Sequence, residues 1–354
     1  MRLLVLPGDG IGPEIVAAAT AALGALNRRF RLGLELVHRD VGFASLENVG
    51  TTLPAEVMAL ATEVDGVLLG PVSTEEYPPA EKGGINLSAW FRTHLDLYAN
   101  IRPSHVRPGV PAHVPTMDLV IVRENTEGFY ADRNMAVGSG EFMPTPDVAL
   151  AIGKLTVAGC RRIAVTAFEL ARRRRGRLTA VHKANVLRIY SGLFLDQVGQ
   201  VSRDYPDVRW DTVIVDAMAA LLVRVPERFD VVVTTNMFGD ILSDEAAELA
   251  GGLGLAASLN AGDRHAVAQA AHGSAPDIAG QDRANPAAFM QSVAMLLDHL
   301  GAHGNRRDLV DAAACLNAGT DALLADPATR TPDLGGTAGT KAFTEALVGA
   351  ISAG

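Results

Sequence analysis

Two apolar periods alternate along this chain of 354 residues. Short β-branched or leucine-rich runs at residues 3–6, 34–38, 66–69, 119–122, 162–166, 179–182, 212–216 and 230–234 predict strands. Between them, apolar positions recur every three or four residues, at 13–28, from Pro54 onward and over 148–170, which predicts helices. Such alternation is the signature of an α/β fold with a largely parallel sheet. Two segments break the rhythm. Residues 74–84, polar and Pro/Gly-containing, read as a mobile surface loop, and residues 131–146, rich in Gly, Pro, Met and Ser, read as an excursion that serves as a lid or a dimerisation arm.

The length calls for two domains. With 48% hydrophobic and 20% charged residues the chain reads as an ordinary folded protein. Its net charge of −9 argues against a nucleic-acid surface. The basic cluster at Arg172 to Arg175, with Arg177, falls near a helix C-terminus, where the dipole favours cations. Cys160 and Cys315 lie far apart, without metal-site or disulfide spacing, and read as reduced thiols. The apolar N-terminal run is too short for a signal peptide and no stretch reaches a membrane span, so the expected location is cytoplasmic, with no membrane partner.

The most informative segment runs from Asp230 through Asn236, Met237, Phe238, Gly239 and Asp240 to Asp244. A strand, a turn and a helix are predicted there, with Asp240 and Asp244 four apart on one helical face. Like charges at that spacing repel unless a cation lies between them. Hard oxygen ligands at the carboxyl end of a strand suit Mg²⁺ or Mn²⁺. Near the N-terminus Gly8, Gly10 and Gly12 make G-x-G-x-G, not the dinucleotide fingerprint G-x-G-x-x-G. Asp9 and Glu14 also place negative charge where a pyrophosphate needs a bare helix N-terminus. That stretch therefore reads as a tight turn with Pro13 at the first helical position. Arg92, Arg102 and Arg123 would accept a small di- or tricarboxylate if they met in one cleft. Tyr130, Lys183 and Asp216 each follow a predicted strand, where open α/β sheets place their sites.

Taken in order, these segments resemble the β-decarboxylating dehydrogenases, the family of isopropylmalate, isocitrate, homoisocitrate, D-malate and tartrate dehydrogenases. The segments are 6–14 (LPGDGIGPE), 92–103, 123–128 (RENTEG), 182–185 (HKAN), 216–218, 236–244 (NMFGDILSD), 272–280 (HGSAPDIAG) and 333–336. The likeness spans essentially the whole chain. It implies a two-domain isopropylmalate/isocitrate dehydrogenase-like fold with a mostly parallel central sheet, distinct from a Rossmann fold. Residues 1–98 plus 253–354 would form a discontinuous cofactor domain, and 99–252 a central substrate, metal and dimerisation domain. It implies NAD- and Mg²⁺- or Mn²⁺-dependent oxidative decarboxylation of a 3-substituted (2R)-malate by a homodimer with shared active sites. Asp240 and Asp244, with Asp216 from the second subunit, would ligate the metal. Lys183, also from the second subunit, would be the general base and Tyr130 the acid. Ser88, Arg92, Arg102, Arg123 and Asn185 would bind substrate, and His272, Gly273, Ser274, Ala275, Asp277 and Asn285 the cofactor. Asp277 stands where NAD-using members carry an acid that repels a 2′-phosphate.

Substrate choice in the family hangs on the residues before Arg92. Isopropylmalate enzymes are apolar at the positions of Ser88 and Ala89, and this chain departs from that. Asn86 and Ser88 resemble the polar pair of isocitrate enzymes with the two groups exchanged, and Ala89 replaces an arginine that homoisocitrate enzymes can carry. The expectation is a small or polar C3 substituent. Two alternatives stand beside it: a tartrate/D-malate-type dehydrogenase, and a non-catalytic regulatory subunit of an isocitrate dehydrogenase-like complex.

Overall fold

A computed structural model describes residues 1–130, 132 and 134–353. Its first half-sheet is laid down by β1 (Arg2–Leu6), β2 (Glu35–His38) and β3 (Gly66–Leu69), joined through α1 (Gly12–Phe30), α2 (Gly42–Val49) and α3 (Ala55–Ala61). After α4 (Leu87–His94) come β4 (Ala99–His105) and β5 (Asp118–Glu124), then a hairpin of β6 (Glu141–Thr145) and β7 (Val148–Ala151). The middle of the chain continues as α5 (Val157–Arg173), β8 (Arg177–His182), α6 (Tyr190–Val201), β9 (Arg209–Ile214), α7 (Val215–Arg224), β10 (Val231–Thr234) and α8 (Asn236–Ala250). Strands β11 (Leu259–Ala261) and β12 (Ala266–Ala268) precede α9 (Ala287–Gly304), α10 (Arg307–Ala325) and α11 (Thr340–Ala353).

One sheet runs through the molecule in the order β2-β1-β3-β12-β11-β4-β5-β10-β8-β9. Both flanks are parallel, and the reversal is confined to the centre, where β12, β11, β4 and β5 pair antiparallel. This is the two-domain, mostly parallel α/β architecture expected. Because parallel strands are covered on both faces, each flank has two apolar layers. On the first flank α1, α9, α10 and α11 pack one face, and α3 and α4 the other. On the second, α5 and α6 cover one face, and α7 and α8 the other. No helix of the described residues is long and apolar enough to cross a membrane.

Three local expectations are corrected. Residues 162–166 are not a strand but part of α5, because Cys160, Ile163, Ala164, Ala167, Phe168 and Ala171 form one buried helical stripe. That helix does not begin at Val148 either: residues 148–151 are an exposed strand of the hairpin, and Thr156 supplies the cap by accepting from Gly159 N at 3.0 Å. The 74–84 segment is tied down: Tyr77 donates to the buried Asp9, and Gly83 O accepts from Thr52 N at 2.9 Å. Of the excursion at 131–146, residues 131 and 133 lie outside the described residues; residues 141–151 form the exposed hairpin.

Candidate active site

Register builds the site first. In the central antiparallel pair, Asn100 of β4 lies opposite Arg123 of β5, and Arg102 is two residues along from Asn100. Side chains two apart, and those directly opposite, share a sheet face. Both guanidiniums therefore rise from the same face, the one α8 packs against. Helix α8 answers at its own period: Asn236, Asp240, Ser243 and Asp244 fall on one stripe. Arg123 Nε and Nη2 donate to Asn236 Oδ1 at 3.0 and 2.7 Å, and its Nη1 donates to Asp240. Arg102 Nη1 reaches Ser243 Oγ at 2.7 Å, Asp244 Oδ1 at 3.1 Å and Asp240 Oδ1 at 3.3 Å. Glycine at 239 permits this approach, since a Cβ there would lie 2.6 Å from Arg123 Cγ.

Tyr130 completes the cluster by donating its hydroxyl to Asp240. Burial raises the Tyr130 pKa, and the hydrogen bond to Asp240 adds to that against the opposing pull of Arg123, so the phenol keeps its proton at neutral pH. Burial pushes Asp240 up, but Arg123 and Arg102 outweigh it and hold the carboxylate below its usual range. Asp244 goes the other way, raised by burial and by the charge of Asp240 beyond what Arg102 restores. Burial, reinforced by Arg123, draws Arg102 down to about 10.

Two carboxylates thus hold one cationic nitrogen between them, the arrangement a divalent ion bound by hard oxygens requires. Among the described residues no third metal-ligating side chain joins them on this chain. Lys183, in the turn after β8, is paired with Asp216 at the start of α7, apart from the bonds that join Arg102, Arg123, Ser243 and Asp240. Asp216 is 68% exposed along its side chain, and Asn185 is exposed beside Lys183. Apolar residues surround both groups at the surface, among them Ile189 at 91% exposure and Ile241 at 61%.

Ser88 and Arg92 open from α4 onto a cleft of about 520 Å³ that Tyr130, Thr74, Asn86 and Ala89 also line. Asn86 caps α4, accepting from Ala89 N at 3.0 Å, so its carbonyl oxygen is committed to the helix.

The stretch from His272 to Asn285 docks on the first glycine turn. Ser274 O accepts from Ile11 N at 2.8 Å, and Ser274 Oγ lies 2.8 Å from Ser73 Oγ. Gly10 is obligatory there, with φ of 57° and no room for a Cβ beside Ser274 O. The two acids of that turn find structural employment. Asp9 accepts from Phe43 N at 2.8 Å, Ser73 N at 3.0 Å and Tyr77, while Glu14 accepts from Gly280 N at 3.4 Å. His272 Nδ1 lies 3.0 Å from the Gly273 carbonyl and so donates to it, and the buried Nε2 has no partner among the described residues. An orphaned buried acceptor fits an adenine amino donor. Ala275 is held at φ of 38°, and Asp277 is exposed just after it. Asn285 is largely spent on structure, giving to Asp333 Oδ2 at 2.9 Å and accepting from Ala287 N at 2.9 Å.

The structure thus brings Arg102, Arg123, Tyr130, Asp240 and Asp244 together, with Ser88 and Arg92 on the cleft that Tyr130 lines. Lys183, Asn185 and Asp216 form a separate group. Sequence reasoning missed Asn236, Ser243, Asn100 and Gln269. The helical period from Asp240 could have found the first two, whereas the others depend on strand pairing.

A family model described as isocitrate/isopropylmalate dehydrogenase matches residues 2–348. The isocitrate/homoisocitrate dehydrogenase of Thermus thermophilus is 44% identical over 353 residues, covering 99% of this chain and 98% of the relative. The 3-isopropylmalate dehydrogenase of Methanothermobacter thermautotrophicus is 41% identical, covering 96% of this chain and 95% of its own. The crystal structure of isocitrate dehydrogenase from Methylococcus capsulatus superposes with a TM-score of 0.88 at 38% identity, covering 99% of both chains. Matched over nearly its whole length, the chain belongs to the isocitrate/isopropylmalate dehydrogenase family and is an NAD-dependent dehydrogenase of the β-decarboxylating class.

Proposed function

We propose that this protein oxidises and decarboxylates a 3-substituted (2R)-malate with a small or polar C3 substituent, using NAD and Mg²⁺ or Mn²⁺, as a homodimer whose two sites each draw on both chains. The observation that carries the reading is the α8 stripe, where Asp240 and Asp244 converge on one guanidinium nitrogen beside Arg123 and Tyr130. Domain boundaries near residues 98 and 252 belong to the same reading, supported by the separate apolar layers on the two flanks of the sheet.

When bound, the nicotinamide supplies the hydride acceptor and the divalent ion the positive charge that favours ionisation of the C2 hydroxyl and the later enolate. Asp240 and Asp244 would hold that ion together with Asp216 of a second copy. Arg92, Arg102 and Arg123 bind the substrate carboxylates, with Asn185 and Ser88 as further contacts. Lys183 of the second copy takes the C2 hydroxyl proton as hydride leaves C2. The C3 carboxylate departs as CO₂, its bonding electrons entering the enolate, and Tyr130, neutral and aimed at the cluster, returns a proton to C3. His272 to Asn285 cradles the adenosine half, and the exposed Asp277 accepts from the ribose hydroxyls and repels a 2′-phosphate. Dimerisation is supported by the exposed apolar residues around Lys183 and α8 and by the apolar hairpin, where Phe142, Met143 and Leu150 face outward.

Kinetics over isocitrate, homoisocitrate, isopropylmalate, D-malate and tartrate with NAD and Mn²⁺ test the reading. Isocitrate or another polar-substituted malate should give the highest kcat/KM, with CO₂ released in step with NADH. A large preference for isopropylmalate would refute the substrate assignment, and NADH without CO₂ would favour the tartrate-type alternative.

A further inference from the structure

Ser88, the hydroxyl on the substrate cleft, is held from behind by a buried amide. Gln269 follows β12, is 7% exposed, and donates from Nε2 to Ser88 Oγ at 3.2 Å. Its main chain is fixed by the network that orients Arg102. Arg102 Nε donates to Asn100 Oδ1 at 2.6 Å, Asn100 Nδ2 to Ser258 Oγ at 3.2 Å, and Ser258 Oγ to Gln269 O at 2.7 Å. The relay runs from Arg102 to the Gln269 main-chain carbonyl, which anchors the residue whose side-chain amide meets Ser88.

A hydroxyl offers one proton and two lone pairs. Gln269 occupies a lone pair. Ser88 is the second residue of α4, so no carbonyl of its own helix lies four residues back, and among the described residues no acceptor takes its proton. The proton is left for the cleft that Ser88 lines with Arg92. A donor there rewards an acceptor on the substrate and, with none to meet it, penalises a hydrocarbon.

We propose that Gln269 is a specificity-determining positioning residue: by donating to Ser88 Oγ it turns the Ser88 proton toward the substrate, selecting malates whose C3 substituent ends in a carboxylate or hydroxyl over those with a plain alkyl group. The assignment rests on the proposed function, and its selectivity is read as a ratio that damage to folding does not move. Gln269→Met keeps the bulk and removes the donor. Gln269→Glu keeps the shape and offers only acceptors, so Ser88 turns its proton away from the cleft.

The experiment measures kcat/KM for isocitrate and isopropylmalate on the intact enzyme with NAD and Mn²⁺, for wild type, both Gln269 variants, Ser88→Ala, and Ser88→Ala with Gln269→Met. Each Gln269 variant should lower the isocitrate/isopropylmalate ratio by about tenfold or more, chiefly through the KM for isocitrate, the scale of a hydrogen bond to a charged group. Ser88→Ala should lower it as much, and Gln269→Met should add nothing in that background. Equal losses on both substrates would make Gln269 merely structural and overturn the proposal, as would additive effects in the double variant. A wild type that turns over none of isocitrate, homoisocitrate, isopropylmalate, D-malate and tartrate refutes the proposed function, and this inference falls with it. A wild type that strongly prefers isopropylmalate refutes the inference while leaving the reaction class standing.

Discussion

Asp9→Ala is the sharpest perturbation away from the chemistry. Asp9 is 5% exposed and its carboxylate accepts from two backbone N–H groups, Phe43 and Ser73, and from the Tyr77 hydroxyl. Burial and Asp9 together raise the Tyr77 pKa, so the phenol remains a donor throughout the working range. Alanine strands all three donors. At about 1 to 2 kcal/mol for each stranded donor, the loss comes to about 3 to 6 kcal/mol, less whatever water recovers. Function should suffer in a specific way, because Ser73 carries Ser274, whose carbonyl holds Ile11 N. Loosening Ser73 loosens the loop assigned to the cofactor, while Arg102, Arg123 and α8 are untouched. Urea unfolding at fixed protein concentration should show a lower midpoint with an unchanged slope. Steady-state kinetics should show KM for NAD rising by about tenfold, with the KM for the hydroxy acid changing much less. A loss of unfolding free energy under about 1 kcal/mol, or equal rises in both KM values, would refute the reasoning.

Arg123, 1% exposed, forks onto Asn236 while also serving Asp240, so Arg123→Lys, which keeps the charge but not the fork, should cost about a hundredfold or more in kcat/KM. Asp244→Asn should leave the metal-free protein at least as stable as wild type at pH 7, since Asp244 is a carboxylate whose charged form is disfavoured in the fold; on the proposed reading Mn²⁺ should raise the melting temperature of wild type and not that of the variant. Asp118 has its pKa lowered: burial opposes the shift, and the hydrogen bond and charge of Arg174 overcome it. A depressed carboxylate contributes stability above its unfolded value near 4 and loses it as pH falls through the folded value. Arg174→Met should therefore flatten the fall in urea midpoint as pH drops below about 4, and an unchanged acid limb would contradict it.

Much of this was legible in the chain because the site sits where local pattern and chemistry coincide. Asp240 and Asp244 are visible as a pair because helical spacing alone puts them on one face, and β10 into α8 reads directly as strand, turn and helix. The same logic failed at residues 162–166, where β-branched residues inside α5 mimic a strand but contribute to a 3.6-residue stripe. Asp9 read only as charge that excludes a pyrophosphate, because its three donors come from Phe43, Ser73 and Tyr77, far apart in sequence. Asn100 and Gln269 were hidden for a related reason: their roles follow from the antiparallel pairing of β4, β11 and β12 at the sheet centre, which an expectation of parallel strands does not supply. Ser88 was visible as a specificity position, but not the amide behind it.

The central claim is that each site takes Asp240 and Asp244 from one chain and Lys183 and Asp216 from the other, and mixing two dead homodimers tests it most directly. Lys183→Met and Asp244→Asn proteins should each be inactive with NAD and Mn²⁺. After dissociation and random reassociation, half of the dimers are mixed and each mixed dimer carries one intact site, so activity should recover to about a quarter of wild type. No recovery from dimers shown to have exchanged subunits would contradict the shared site.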